Sequence, residues 1–286
     1  MNGKLIEVEG LTIKDSRGRK LVRGVSLQLG EREFVGIVGE SGAGKSITVQ
    51  AILGVAPERL DVTYTRLLLL GENPADLPVR RRRTLVGRDI GFVPQNTIAF
   101  LHPQLKIKNQ IADAYCYHFN KRKREGLKRA EKMLEKVGIS DPERVLNSYP
   151  FEISGGMKQR VNIAMALMTD PKLIIADEPT TALDAVTQKQ VMDLFQQMNE
   201  KDGIPILFIS HDLNLIRTYC DRVYVMNEGQ VVEEGATARV FNHPEREYTK
   251  KLLASVLKVK REEQLPIKEG GFDGLSAGRK GSYKGI

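Results

Sequence analysis

Residues Gly39 to Ser46 read GESGAGKS, directly after the apolar run EFVGIV and directly before the helix-periodic run ITVQAILG. Glycines with a lysine and a hydroxyl residue at this spacing make a phosphate-binding loop, provided a strand precedes it and a helix follows, as here. Glycine lets backbone amides close around phosphate oxygens. Lys45 is placed to reach the β- and γ-phosphates, and the Ser46 hydroxyl to hold Mg2+. The residues assigned to this cradle are Gly39, Glu40, Ser41, Gly42, Ala43, Gly44, Lys45, Ser46 and Ile47.

A second chemical signal is KLIIADEP, Lys172 to Pro179, an apolar strand closed by two carboxylates. At the C-terminal end of a parallel strand these face the ligand crevice. Asp177 is placed to hold Mg2+ through water, and Glu178 to polarise an attacking water. Alone, two acids there would simply cap the next helix. Gln95 ends the strand-like DIGFVP and His211 ends PILFIS. In a parallel sheet both share an edge with Lys45 and Asp177. Gln95 would contact either the metal or the water, and His211 would donate to a γ-phosphate. Either one alone reads as an ordinary polar strand end, but five such residues on one crevice form a catalytic set.

The third signal is PFEISGGMKQRVNIAMAL, residues 150 to 167. Ser154, Gly155 and Gly156 stand at the start of a helix-periodic run, where free amides favour an anion. No lysine stands among these glycines.

The elements that must position these residues follow from periodicity. KLIEVEGLTI and LVRGVSLQL alternate like antiparallel strands joined by KDSRGRK. After the first helix comes a loop rich in Pro and Arg. Residues 104 to 168 read as three or four helices, with helical periodicity in IKNQIADAYCYHF, LKRAEKMLEKVG and GGMKQRVNIAMALM. KLIIAD, PILFIS and RVYVMN are continuous apolar strands, separated by the helix that includes VTQKQVMDLFQQMNE; such alternation predicts a parallel sheet covered on both faces.

The chain has 286 residues, 41% hydrophobic and 28% charged, with net charge +8. No apolar run is long enough to span a bilayer, and MNGKLIEVEG lacks the apolar core of a signal peptide, so a cytosolic setting is expected. Cys116 and Cys220 read as reduced thiols, and the four histidines show no metal-ligand spacing. The basic runs at Arg80 to Arg83 and Lys121 to Arg124 read as solvated faces. No aromatics interleave with them, which argues against nucleic acid.

Phosphate loop, Gln95, ISGGM, IIADEP, TALD and SHD occur in that order. The set resembles the nucleotide-binding domain of ABC transporters over roughly residues 4 to 250. The resemblance implies an α/β P-loop fold with a RecA-like core, an N-terminal antiparallel β subdomain and a helical signature subdomain. The domain would span 1–250, with a helical insertion about 96–168 and a partly flexible extension at 251–286. It also implies that the nucleotide is ATP with Mg2+, hydrolysed to ADP and phosphate. Two domains would pack head to tail, so that Ser154, Gly155 and Gly156 bind the partner's γ-phosphate. Asp184 would lie on the loop crossing that interface.

GESGAGKSITVQAILG, PERLDVT, Met157 in the signature and NHPEREYTKKLLAS resemble the peptide and nickel importer branch. That branch implies a second ATPase subunit, two membrane permease subunits docked at the helical insertion and at NTIAFLHPQLKIKNQI, and a solute-binding protein engaged indirectly. It places the chain on the cytoplasmic face of the cell membrane, without nucleic acid. The cargo, a di- or oligopeptide, nickel or a metallophore complex, stays open. The alternatives are a soluble ABC ATPase acting on ribosomes or DNA and a regulatory module without turnover. Single-domain length and the absence of a heptad run disfavour the first; Glu178 and His211 disfavour the second. Three departures stand out. No aromatic lies near Asp15 to stack on adenine, leaving Arg17 or Arg19 for that place. No cysteine follows Cys220, so no iron–sulfur cluster is expected. The histidine–proline–tyrosine motif is loosened to HPEREYT around His243.

Overall fold

The structure is a computed structural model that describes residues 3–95, 100–181 and 183–262, with side chains described to residue 255. Two sheets share the work of positioning the site. In the first, β1 (Lys4–Lys14) pairs antiparallel with β2 (Lys20–Gly30), β4 (Asp61–Thr63) and β5 (Arg66–Leu69). Alternation sets its inner face: Ile6, Val8, Leu11 and Ile13 are buried while their neighbours are more open, as a half-covered antiparallel sheet requires.

The second sheet has the order β10-β9-β3-β8-β7-β6. Its parallel strands are β3 (Phe34–Val38), β6 (Ile90–Val93), β7 (Leu173–Asp177), β8 (Ile206–Ser210) and β9 (Arg222–Asn227); β10 (Gln230–Ala236) joins antiparallel at one edge. FVGIV, LIIAD and ILFIS are buried at every position, because layers of structure cover both faces. Phe34 and Phe208 meet edge to face, with centroids 6.0 Å apart. The register aligns Val38 with Ser210, Asp177 with Ile209 and Val93 with Ala176. The residues just beyond these ends therefore form one row at the C-terminal edge.

α1 (Lys45–Ile52) follows β3. Among the described residues the insertion holds the α-helices α3 (Asp113–Phe119), α4 (Lys123–Lys136), α5 (Pro142–Asn147) and α6 (Gly155–Leu167). The helix expected from Ile107 is broken. Ile107–Asn109 form a 3-10 turn, and the Gln110 side chain donates to the His102 and Leu105 carbonyls. The Pro- and Arg-rich segment is not a plain loop: α2 (Val79–Thr84) follows Pro78 and runs into a π-helical turn, Leu85–Asp89, anchored by buried Leu85. Proline pre-sets the backbone there for a helix start.

α7 (Ala185–Glu200) and α8 (Leu213–Tyr219) cover the sheet. Two C-terminal helices follow β10: α9 (Thr237–Asn242) and α10 (Glu247–Glu262). The buried Glu233 carboxylate accepts from the Glu245 and Arg246 amides at 3.0 and 3.1 Å, tying the start of α10 to the core. The boundary drawn near residue 250 thus falls inside α10. The segment after Pro266 lies outside the described residues, as do Asn96 to Ala99 of the proposed docking loop.

Phe208 is fully buried at the centre of the parallel sheet. Phe208→Ala is expected to lower unfolding free energy by roughly 3–5 kcal/mol, read by urea denaturation. A loss below about 1 kcal/mol would show that the edge-to-face pair does not anchor this sheet.

Candidate nucleotide site

The loop from β3 to α1 can be formed only by its glycines. A Cβ on Gly39 would lie 2.2 Å from the Met226 carbonyl oxygen, and Gly44 holds φ +95 as it caps α1. No other residue type reaches that left-handed conformation without strain. Lys45 turns back over the loop, almost fully buried, and donates to the Gly39 and Glu40 carbonyls at 2.8 and 3.0 Å. Burial pushes its pKa down, and the nearby Glu178 and Asp177 charges offset part of that. Its ammonium is satisfied by backbone acceptors that an incoming phosphate can replace.

Ser46 and Asp177 face one another, with Ser46 Oγ donating to Asp177 Oδ1 at 3.0 Å. Burial pushes the Asp177 carboxyl up, while the Ser46 hydrogen bond pulls it partly back. These hard oxygens suit Mg2+, which takes few protein ligands and fills the rest with phosphate and water. Among the described residues no group of three or more His, Cys, Asp and Glu is arranged to hold a metal.

Glu178 sits just past β7 with φ +47, and its amide donates to the Ile209 carbonyl at 2.9 Å. Its carboxylate gathers four elements. Oε1 lies 3.7 Å from Lys45 Nζ; Oε2 is 3.0 Å from Gln95 Nε2, 3.1 Å from Thr181 Oγ1 and 3.1 Å from His211 Nδ1. The structure thus brings Lys45, Ser46, Asp177, Glu178, Gln95 and His211 together. It places His211 against Glu178. With Nδ1–H donated there, the opposite nitrogen can donate to a phosphate only in the imidazolium form.

A cleft of about 500 Å³ opens over the loop, lined on one side by Ser41, Gly42, Gly44, Lys45, Ser46, Ile47, Gln95 and Glu178, and on the other by Arg19, Lys20, Leu21, Arg23 and Glu228. Arg19 lines it and Arg17 does not. Asp15 pins Arg19 through its backbone amide and Nε, at 2.9 and 3.1 Å. Residue-level reading missed Thr181, Lys20, Arg23 and Glu228. It also left open what the HPEREYT stretch does; there Tyr248 Oη accepts from the Glu40 amide at 3.4 Å. Thr181 lay in plain view within DEPTTALD; for the others no local signal exists.

Ser154, Gly155, Gly156 and Asp184 do not line this cleft. They form a second unit. Ser154 caps α6 by accepting from the Met157 amide at 3.3 Å. A Cβ on Gly156 would lie 2.6 Å from Thr187 Cγ2. Thr187 in turn donates to Asp184 Oδ2 at 2.7 Å, and Asp184 caps α7 through the Val186 and Thr187 amides. The Thr187 hydrogen bonds hold the exposed Asp184 carboxyl below its usual range. The side of Gly155 where a Cβ would stand is open space.

A phosphate loop at the edge of a parallel sheet, with a carboxylate facing it, defines a P-loop nucleotide hydrolase. The sequence profile of the ABC transporter family matches residues 22–181, and the chain belongs to that family. It is an ATPase of the ATP-binding cassette type. The chain is 41% identical over 270 residues to the oligopeptide transport ATP-binding protein OppD of Bacillus subtilis, covering 92% of this chain and 75% of that protein. It is 40% identical over 256 residues to the metal-staphylopine import system ATP-binding protein CntD of Staphylococcus aureus, covering 89% and 94%. Among solved structures it is similar to a dimeric ATP-binding cassette in a post-hydrolysis state bound to ADP and Pi, with TM-score 0.69 and 29% identity over 81% of this chain and 98% of that one. It also resembles CbiO1 of Clostridium perfringens, with TM-score 0.70 and 26% identity over 93% and 100%.

Because burial raises the Asp177 pKa in the folded chain, its ionised form destabilises the fold at neutral pH. Asp177→Asn keeps an acceptor for Ser46. It should therefore melt at a higher temperature than the parent at neutral pH, with the gap closing as pH falls and Asp177 itself takes up a proton. Thermal denaturation across pH reads this; a parent more stable than the variant at neutral pH would refute it.

Proposed function

We propose that this chain is the ATP-hydrolysing subunit of a membrane importer for di- or oligopeptides or nickel and other metal chelates. The observation that carries the reaction is the Glu178 carboxylate, held beside Lys45, Gln95 and His211 at the mouth of the phosphate loop. Lys45 and the loop amides hold the β- and γ-phosphates. Glu178 orients and polarises a water. That water's oxygen bonds to the γ-phosphorus as the bond to the β–γ bridging oxygen breaks and ADP leaves. Ser46 and Asp177, with Gln95, would hold Mg2+, which neutralises charge on the β- and γ-oxygens. Gln95 and His211 hold the carboxylate in place, and His211 turns its other nitrogen toward the γ-phosphate.

This cleft covers one side of the triphosphate. Ser154, Gly155 and Gly156 present the start of α6 away from it, as a half-site for a nucleotide held by another chain. Free amides and the helix dipole there suit a γ-phosphate without a side-chain cation. Asp184, linked to Gly156 through Thr187, lies on the same face of contact. ATP would then close a head-to-tail pair of ATPase subunits, and loss of the γ-phosphate would reopen it. The dimeric cassette bound to ADP and Pi supports this arrangement. The transport and import systems named for the relatives support permease partners; a second, different ATPase subunit, a pair of permeases and an extracytoplasmic binding protein engaged indirectly complete the proposed assembly. No helix among the described residues is long and apolar enough to cross a membrane; the chain would be held at the cytoplasmic face by the permeases.

Glu178→Gln should retain ATP in a stable dimer with the partner subunit while turnover falls at least about 100-fold, read by phosphate release and size-exclusion chromatography. Normal turnover in the variant would remove Glu178 from its role. Affinity capture from detergent-solubilised membranes should recover two multi-span subunits and a second ATPase. Recovery of ribosomal components alone would overturn the importer reading.

A further inference from the structure

The two basic runs are far apart in sequence, but the elements next to them meet in the fold. None of the residues of α2, which carries Arg80 to Arg83, is buried. The π-helical turn continues α2 and delivers Arg88, whose guanidinium lies 4.8 Å over the Phe119 ring. His118 closes on the same turn: a Cβ on Gly87 would lie 2.9 Å from its Nε2. Phe119 ends α3, and Lys121 to Arg124 follow at once, all exposed. The seam between the core and the helical insertion thus joins both runs into one surface.

Residues 79–88 and 117–124 hold nine Arg and Lys. Four acids pair with them: Glu72, Asp89, Asp113 and Glu125. Nine against four leaves five positive charges in excess on this surface. Among the described residues, no carboxylate lies within 4.0 Å of Arg80, Arg83 or Arg124. Two apolar side chains stand out from the same elements: Val79 at the head of α2, 55% exposed, and Tyr117 on α3, 68% exposed.

We propose that the surface built from residues 79–88 and 117–124 binds the anionic headgroups of a phospholipid bilayer. Unpaired arginines attract the phosphates, at about 1 kcal/mol for each basic residue near such a surface. Tyr117 and Val79 then have a place at the boundary between headgroups and acyl chains, where tyrosine is favoured. Single-stranded nucleic acid is the poorer fit, because it needs a series of exposed rings for its bases and this surface offers one. The inference rests on the reading that the chain works beneath membrane subunits. It adds a direct contact between this chain and the lipid, which would orient the ATPase under its permeases and make association salt-dependent.

The test is flotation of the purified full chain with phosphatidylcholine vesicles, with and without phosphatidylglycerol. The chain should float with the anionic vesicles only, and less as salt rises. Arg80→Glu/Arg83→Glu/Arg124→Glu should lower anionic-vesicle binding by about tenfold or more, with ATP turnover unchanged. A control with the same charge change on other exposed residues, Lys201→Glu/Arg217→Glu/Lys251→Glu, should retain most of the binding. If the triple charge reversal impairs folding, the corresponding Gln variant serves, with a smaller loss expected. Equal losses in both variants, no loss in the first, or binding to a single-stranded RNA oligonucleotide in place of vesicles would each overturn the proposal. Failure here with permease subunits still recovered from membranes would leave the importer reading standing.

Discussion

The site depends on one carboxylate being held in an unfavourable place. Glu178 adopts a left-handed backbone, φ +47, directly after an apolar strand. An L-residue pays about 1–2 kcal/mol for that, so the surroundings must enforce it. They do so through the sheet: β7 lies beside β8 in parallel register, and the Glu178 amide is spent on Ile209. The side chain is thereby aimed along the strand edge at Lys45, Gln95, Thr181 and His211. Each partner comes from a different strand end or turn. Remove the strand order and these groups scatter.

Burial makes this arrangement responsive. Lys45 and Asp177 are both nearly enclosed, and burial works against the charge of each. The lysine leans on backbone carbonyls and on Glu178, and the aspartate leans on Ser46. These are substitute partners. In the proposed function a triphosphate with Mg2+ would supply stronger ones to both groups at once, in exchange for these.

Most of the core and the half of the site built on it were legible in residues. FVGIV, LIIAD and ILFIS read as strands covered on both faces, and the residues that the site uses stand at or just past their ends: the loop from Gly39 to Ser46, Asp177 with Glu178, and His211. The limits were equally physical. α2 and its π-helical turn hide in a segment dense in Pro and Arg, because what anchors them is one buried leucine, Leu85, contacting distant residues. The 3-10 break at Ile107 depends on Gln110 reaching back to carbonyls, which periodicity does not register. The far wall of the cleft comes from the start of β2, with Lys20 and Arg23, and from the β9–β10 turn, with Glu228, and no local pattern connects either to a phosphate loop. The link between Gly156 and Asp184 through Thr187 is likewise tertiary.

In the proposed function the chain uses two faces: the cleft over the phosphate loop, for ATP, and the capped helix start with an open approach at Gly155. The central claim is that each face is half of a composite site. It is tested most directly by measuring ATP affinity and turnover on a strictly monomeric fraction, and then as the same chain is brought together with its partner ATPase. The half-site reading predicts a monomer that binds ATP but hydrolyses it slowly, with turnover rising as the pair forms. Full turnover in the monomer, unchanged on pairing, would contradict it.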